Sequence, residues 1–335
     1  MTVAEVKNEN SKVPLETALE KTGFGLYSFS YAMLTGLIIN AYIFVAFGSS
    51  IIVPTSACEL NTTTGQQGVL AASPVIALLV GAMVWGYLGD TRGRRSMLLV
   101  SMVSAAVVNC IASLSVNWIM LLILQFIAAL LASGQYTLSM TLLSESIPQA
   151  KRNLVLLLVA SIFLLSQGFS AILAIPIIPL TFSYHIPTLD IYWNSWRTLM
   201  VIYSIPSFVA IAWLYFMTES SKYILAKGDE QGALEILRKI HRINHLNSLE
   251  KYEIKSLLKE VTKEDKPPAK DQIVPLFKAP LLKYTIIMSM LYILQQVGAL
   301  MVWLPTVANQ LMQMIESGAP PEQHSVPVAQ PNGYT

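Results

Sequence analysis

The sequence predicts an all-α polytopic membrane protein: a six-helix transmembrane bundle over residues 27–218, a polar loop, and a seventh transmembrane helix over 284–307. Two observations carry this prediction. Of 335 residues, 54% are apolar and only 13% charged, whereas a soluble domain is about one half apolar and one quarter charged. The apolar residues also gather into runs of bilayer length, and the basic residues gather in the loops after every second run. A net charge of +2 gives no basis for nucleic-acid binding; the bilayer is the expected partner.

A helix needs about 20 mostly apolar residues to cross about 30 Å of hydrocarbon. Seven runs qualify: 27–53, 68–88, 96–116, 118–143, 154–180, 197–217 and 284–304. The first is long enough to tilt or to include an interfacial turn at its start. Ahead of it, the tail 1–26 is polar and carries Glu5, Glu9, Glu16 and Glu20. It lacks the basic start and short apolar core of a cleavable signal, so the first run is expected to stay in the membrane.

All but one of the 22 lysines and arginines fall on one side of this arrangement; the exception is Arg197. Arg92, Arg94 and Arg95 follow the second run, and Lys151 and Arg152 follow the fourth. Short loops obey the positive-inside rule best, so these two place the N-terminus in the cytosol. Asn61-Thr62-Thr63 is a glycosylation sequon in the first loop on the opposite side.

The segment 219–283 mixes thirteen basic with ten acidic residues. Ala233, Leu234, Leu237 and Ile240 fall on one helical face. A second, weaker helix is expected over 248–261, ended by Pro267-Pro268. Residues 308–335 are polar and proline-bearing, and are expected to be a disordered tail outside the cytosol. Cys58 and Cys110 make no disulfide framework, and His185, His241, His245 and His324 are scattered, with His241 and His245 on one helix face. No metal or cofactor is expected. No phosphate loop, zinc signature or nucleophile elbow is present, so enzyme chemistry has no support.

The loop between the second and third runs, Gly86-Tyr-Leu-Gly-Asp90-Thr-Arg92-Gly93-Arg94-Arg95, reads G-x-x-x-D-x-x-G-R-R. Gly86 and Gly93 permit close backbone approach and a sharp turn. Asp90 is placed to pair with the arginines or to sit at a neighbouring helix N-terminus.

This loop resembles the signature between helices two and three of the major facilitator superfamily, with Thr91 at a usually basic position. The closer resemblance, over residues 23–311, is to the synaptic vesicle glycoprotein 2-like branch, near the sugar and organic ion transporters. Other stretches match it in order: Glu145 to Arg152, Trp196-Arg197 followed by Pro206, Glu219 to Leu225, and Trp303-Leu304-Pro305. The resemblance implies that Asp90, Arg94, Glu145, Arg152, Glu219 and Lys222 form a cytosolic charge network, with Gly86, Arg92, Gly93 and Arg95 shaping the loop. Such a network closes an inner gate in one state and breaks in the other.

The chain departs from its relatives inside the membrane. None of the seven runs has an ionisable acid or base at its centre. Tyr42 and Val45 stand where relatives carry acids, and Gln125 where they carry an arginine. Uniport, or degenerate transport, therefore fits better than proton coupling. The remaining polar groups, Asn40, Tyr42, Gln135, Tyr136, Gln167, Gln295 and Gln296, with Trp303, are candidates for a substrate path or for interhelical hydrogen bonds. The family has twelve helices in two halves with the site between them, and this chain ends after the seventh, so it is expected to be a fragment or to meet a second half-transporter chain. The function expected is transport of a small organic solute, an organic ion or sugar-like molecule, by alternating access in the plasma membrane or an intracellular vesicle. The alternative is a non-transporting membrane protein that binds partners through the cytosolic loop.

Overall fold

The computed structural model describes residues 12–187, 190–245, 252–258 and 277–295, with isolated positions between 307 and 315. Its elements are α1 (Leu15–Glu20), α2 (Leu26–Phe47), α3 (Ser49–Ser56), α4 (Thr64–Arg92), α5 (Arg94–Ala112), α6 (Trp118–Ala132), α7 (Gly134–Ser146) and α8 (Gln149–Ile177). A two-stranded hairpin, β1 (Tyr184–Ile186) and β2 (Ile191–Trp193), follows. Then come α9 (Ser195–Phe216), α10 (Ser221–Ala226), α11 (Glu230–Asn244) and α12 (Leu281–Gln295).

Among the described residues six spans are long and apolar enough to cross a membrane: α2–α3, α4, α5, α6–α7, α8 and α9. They match the first six runs. The rest of the seventh run, beyond α12, and the tail 316–335 lie outside the described residues. In the first span the expected interruption is at the other end: α2 gives way to α3 at Gly48. The Tyr203 ring lies close on Gly48, and a Cβ there would be 2.9 Å from it.

Local chemistry sets the ends. Thr63 and Gln66 form a reciprocal capping box at the start of α4. Asn117 accepts from the Met120 N–H at 2.8 Å to start α6. Pro148, which cannot continue a helix, separates α7 from α8.

The spans are joined inside the bilayer by polar bonds to backbone carbonyls. At the break between α6 and α7, Leu130 O accepts from Trp85 Nε1 at 3.0 Å and Leu131 O from Ser101 Oγ at 2.5 Å. In hydrocarbon those carbonyls have no water to turn to. Asn109 ties α5 to α9 through Ser204 Oγ, 2.9 Å, and Met200 O, 3.1 Å. Gly81 and Gly134 allow the α4 contact with this break: a Cβ on Gly134 would lie 2.5 Å from the Trp85 ring. Gly86 and Gly168 have no atom within 4 Å of such a Cβ, so the close approach expected at Gly86 falls instead at Gly89, against Leu138.

The polar segments fold onto one end of the bundle. Leu15, Ala18 and Leu19 of α1 pack on Leu225, Leu234 and Leu237 of α10 and α11 and on Ile254 and Leu257. Residues 252–258 are not the expected helix: Val13 pairs with Leu257 as an isolated bridge, its N–H donating to Ser256 O at 3.2 Å. Alternation decides this, because exposed Glu253 and Lys255 flank buried Ile254. Burial pushes the Tyr252 phenol well above its ordinary value, against the pull of Arg238, so it stays a donor to Ala18 O at 2.8 Å.

Candidate functional site

Gly93 alone separates α4 from α5, at φ +104°. A Cβ there would also lie 2.9 Å from Glu219 Oε2, so glycine is needed for both conformation and approach. With glycine at its N-cap, α5 has no capping side chain of its own. Glu219 supplies one from 124 residues away: Oε1 accepts from the Arg95 N–H at 2.8 Å and Oε2 from the Ser96 N–H at 3.3 Å. A carboxylate at a helix N-terminus satisfies orphan donors and meets the positive end of the dipole. In return, Arg95 donates to the final carbonyls of α9, Leu214 O at 3.2 Å and Tyr215 O at 2.6 Å.

Arg94 pairs with Glu145 at the end of α7, and with Asp90 one turn back at 3.4 Å. The second Glu145 oxygen accepts from Ser220 Oγ at 2.5 Å, and Ser220 in turn caps α10 through the Tyr223 N–H. Tyr223 OH donates to Thr91 O at 3.3 Å. Asp90, Arg94, Arg95, Glu145 and Glu219 thus meet in one cluster joining the second, third, fourth and sixth spans. Lys222 is half-buried in the first turn of α10, and Arg92 is exposed at the end of α4.

Arg152 is not in that cluster. It donates to Glu16 Oε2 of α1 at 2.6 Å and to Ile147 O at 3.3 Å. The break at Pro148 starts a new helix, and one turn into it Arg152 meets α1 instead of α5. A second unforeseen cap joins the same end: Asn244 of α11 accepts at Oδ1 from the Tyr27 N–H at 3.0 Å and donates to Gly23 O at 2.7 Å. It caps α2, whose own N-cap is glycine.

Within the bilayer, Tyr42, Tyr136 and Phe163 form an aromatic cluster across the first, fourth and fifth spans, with ring centroids 6.3, 5.6 and 6.4 Å apart. Phe47 completes it. Gln167 donates to Ser50 Oγ at 3.4 Å. Gln135 is fully buried, and neither of its amide atoms has a partner among the described residues; Asn40 Oδ1 is likewise unpartnered there. The Gln295 side chain, Gln296 and Trp303 lie outside the described residues.

The far end holds a cluster that sequence reading missed. Arg197 is fully buried. Its guanidinium donates to Glu59 Oε1 at 2.6 Å, Ser113 O at 2.7 Å and Tyr192 O at 3.1 Å, and stacks 4.4 Å from the Trp196 ring centroid. Glu59 Oε2 also accepts from Asn194 Nδ2 at 2.5 Å and Trp196 Nε1 at 2.6 Å. One signal was available: a lone arginine on that side requires an acid, and Glu59 is one of the few there. Asn61 lies two residues on, exposed, at φ +48°.

Six apolar spans with ends fastened by polar clusters define a multi-pass α-helical membrane protein. A family model described as Major Facilitator Superfamily matches residues 24–317, and the chain belongs to that family. It is similar to the synaptic vesicle 2-related protein of Xenopus laevis, 26% identical over 68% of this chain and 39% of the relative. It is also similar to synaptic vesicle glycoprotein 2A of Rattus norvegicus, 25% identical over 68% of this chain and 31% of the relative. The chain therefore spans less than half the length of these curated relatives. Among solved structures, the proton:xylose symporter XylE bound to 6-bromo-6-deoxy-D-glucose matches with a TM-score of 0.55 at 18% identity, over 64% of this chain and 50% of the symporter. That likeness concerns the fold.

Proposed function

We propose that this chain moves a small organic solute, an organic ion or sugar-like molecule, across a membrane by alternating access. The observation that carries this reading is the Arg94–Glu145–Ser220 and Glu219–Arg95 cluster. It fastens four spans at one end through a few polar bonds, each worth about 1.5–3 kcal/mol when charge-assisted. A contact of that size holds one state and still releases. The Arg94 end faces the cytosol and Asn61 the opposite compartment, because the short loops 92–95 and 151–152 carry the basic residues. The solute contacts Tyr42, Tyr136 and Phe163, with buried amides such as Gln135 supplying hydrogen bonds that hydrocarbon does not.

The test is uptake of labelled sugars, organic cations and organic anions by proteoliposomes holding the protein, with Tyr136→Ala as the site control. Solute-specific uptake lost in that variant is expected. Entry no faster than into empty vesicles, for every solute class, refutes the reading.

A further inference from the structure

From the end of α8 to the start of the hairpin, residues 177–184 contain no charged side chain, and Leu180, Phe182 and Tyr184 alternate with small polar residues. All three are exposed, Tyr184 to 78%. The hairpin register shows which way this stretch faces. Tyr184 lies opposite Trp193, His185 opposite Tyr192 and Ile186 opposite Ile191. Directly paired residues share a face of a sheet, and alternate residues share it along a strand. One face therefore carries Tyr184, Ile186, Ile191 and Trp193. Ile191 is buried and Ile186 and Trp193 are half-buried, so this face is turned onto the bundle end. The other face carries His185 and Tyr192, with His185 bonded to the highly exposed Asp190 at 2.9 Å. At the edge of the bundle this face continues as Tyr184, and the irregular segment before the strand exposes Phe182 and Leu180.

The end of α8 exposes Ile172 and Ile175 directly before this stretch, so the lipid-facing apolar surface runs into it without a charged break. The hairpin is also held in place: Arg197 Nε donates to Tyr192 O, and Trp193 Nε1 donates to Thr198 Oγ1 at 2.9 Å. Rings with an apolar body and a polar tip, such as Tyr184, favour the headgroup level of a bilayer.

We propose that Leu180, Phe182 and Tyr184 form an interfacial anchor, seated at the headgroup–acyl boundary of the leaflet at the far end. The anchor ties the entry of α9, and with it the Arg197 cluster, to the membrane surface. It does not depend on which compartment that end faces or on transport.

The test places single cysteines by Phe182→Cys, Tyr184→Cys, His185→Cys and Tyr192→Cys in the full chain carrying Cys58→Ser and Cys110→Ala. Each is labelled with an environment-sensitive nitrobenzoxadiazole and reconstituted in phosphatidylcholine vesicles. Quenching by phosphatidylcholine doxyl-labelled near the headgroup is compared with quenching by iodide present on both sides. Labels at 182 and 184 are expected to be quenched several-fold more by doxyl lipid than by iodide, and labels at 185 and 192 the reverse. Equal iodide quenching at all four positions overturns the anchor. So does protection of 182 and 184 from both quenchers together with Tyr184→Cys cross-linking between copies, which assigns the surface to protein contact.

Discussion

Replacing Glu59 by glutamine isolates the clamp at the far end. The change leaves the side-chain shape and one carbonyl acceptor, so Asn194 and Trp196 keep a partner, but Arg197 loses its counter-charge. The Arg197 side chain is 1% exposed and that of Glu59 24%. Removing the partner of a buried charge costs about 3–5 kcal/mol. Water reaches the carboxylate side, and Ser113 O and Tyr192 O still accept from the guanidinium, so the expected loss is at the lower end, about 3 kcal/mol. That corresponds to a melting shift of roughly 6–12 °C for a domain of this size. Unfolding is followed in detergent by reaction of Cys110 with a maleimide fluorophore. Exposed Cys58 is first changed to serine so that it does not react from the start. Arg197→Gln and the double variant close the cycle, with an expected coupling of about 1–3 kcal/mol. If the single losses add to within about 0.5 kcal/mol, the two groups do not interact and the clamp is refuted.

Asn244→Ala removes the cap of α2 and is expected to cost about 1 kcal/mol in the same melting assay; Asn244→Asp, which keeps the acceptor, should recover part of it. Gly134→Ala forces a Cβ into the Trp85 ring and is expected to cost about 1–3 kcal/mol, whereas Gly86→Ala, in open space, should be near neutral. Equal effects at the two glycines would contradict the packing described. Asn61→Gln is expected to abolish an endoglycosidase-sensitive mobility shift in a eukaryotic host; unchanged mobility in a chain whose Asn61 loop is shown to be cytosolic reverses the proposed orientation. Asp90→Asn removes one of the two acid partners of Arg94 and leaves Glu145. It should alter protease access to the 219–230 link while leaving the melting temperature within about 0.5 kcal/mol equivalent, because Asp90 is largely exposed.

Hydropathy, proline and glycine were sufficient to mark the six spans, since crossing a bilayer is a requirement on each segment by itself. Gly93 was legible as part of a sharp turn between two spans, but only the structure shows it to be the whole link between the two helices. The Glu219 stretch was recognisable from its pattern, but its role as the cap of α5 was not. A cap borrowed from 124 residues away leaves no local trace beyond a glycine where a capping side chain would stand. Arg152 shows the opposite outcome. Its motif was plain, and its partner proved to be Glu16 in a segment read only as a polar tail.

What the sequence determined alone is therefore the first six spans, the basic loops between them and the family to which they belong, because burial in lipid acts on each helix independently of its neighbours. Only the tertiary structure decided the pairings. Arg197 with Glu59, Asn244 with the start of α2, and Tyr42 with Tyr136 and Phe163 join residues distant along the chain. An ion pair or a cap depends on distances of a few ångströms, and those are set only when the helices have packed.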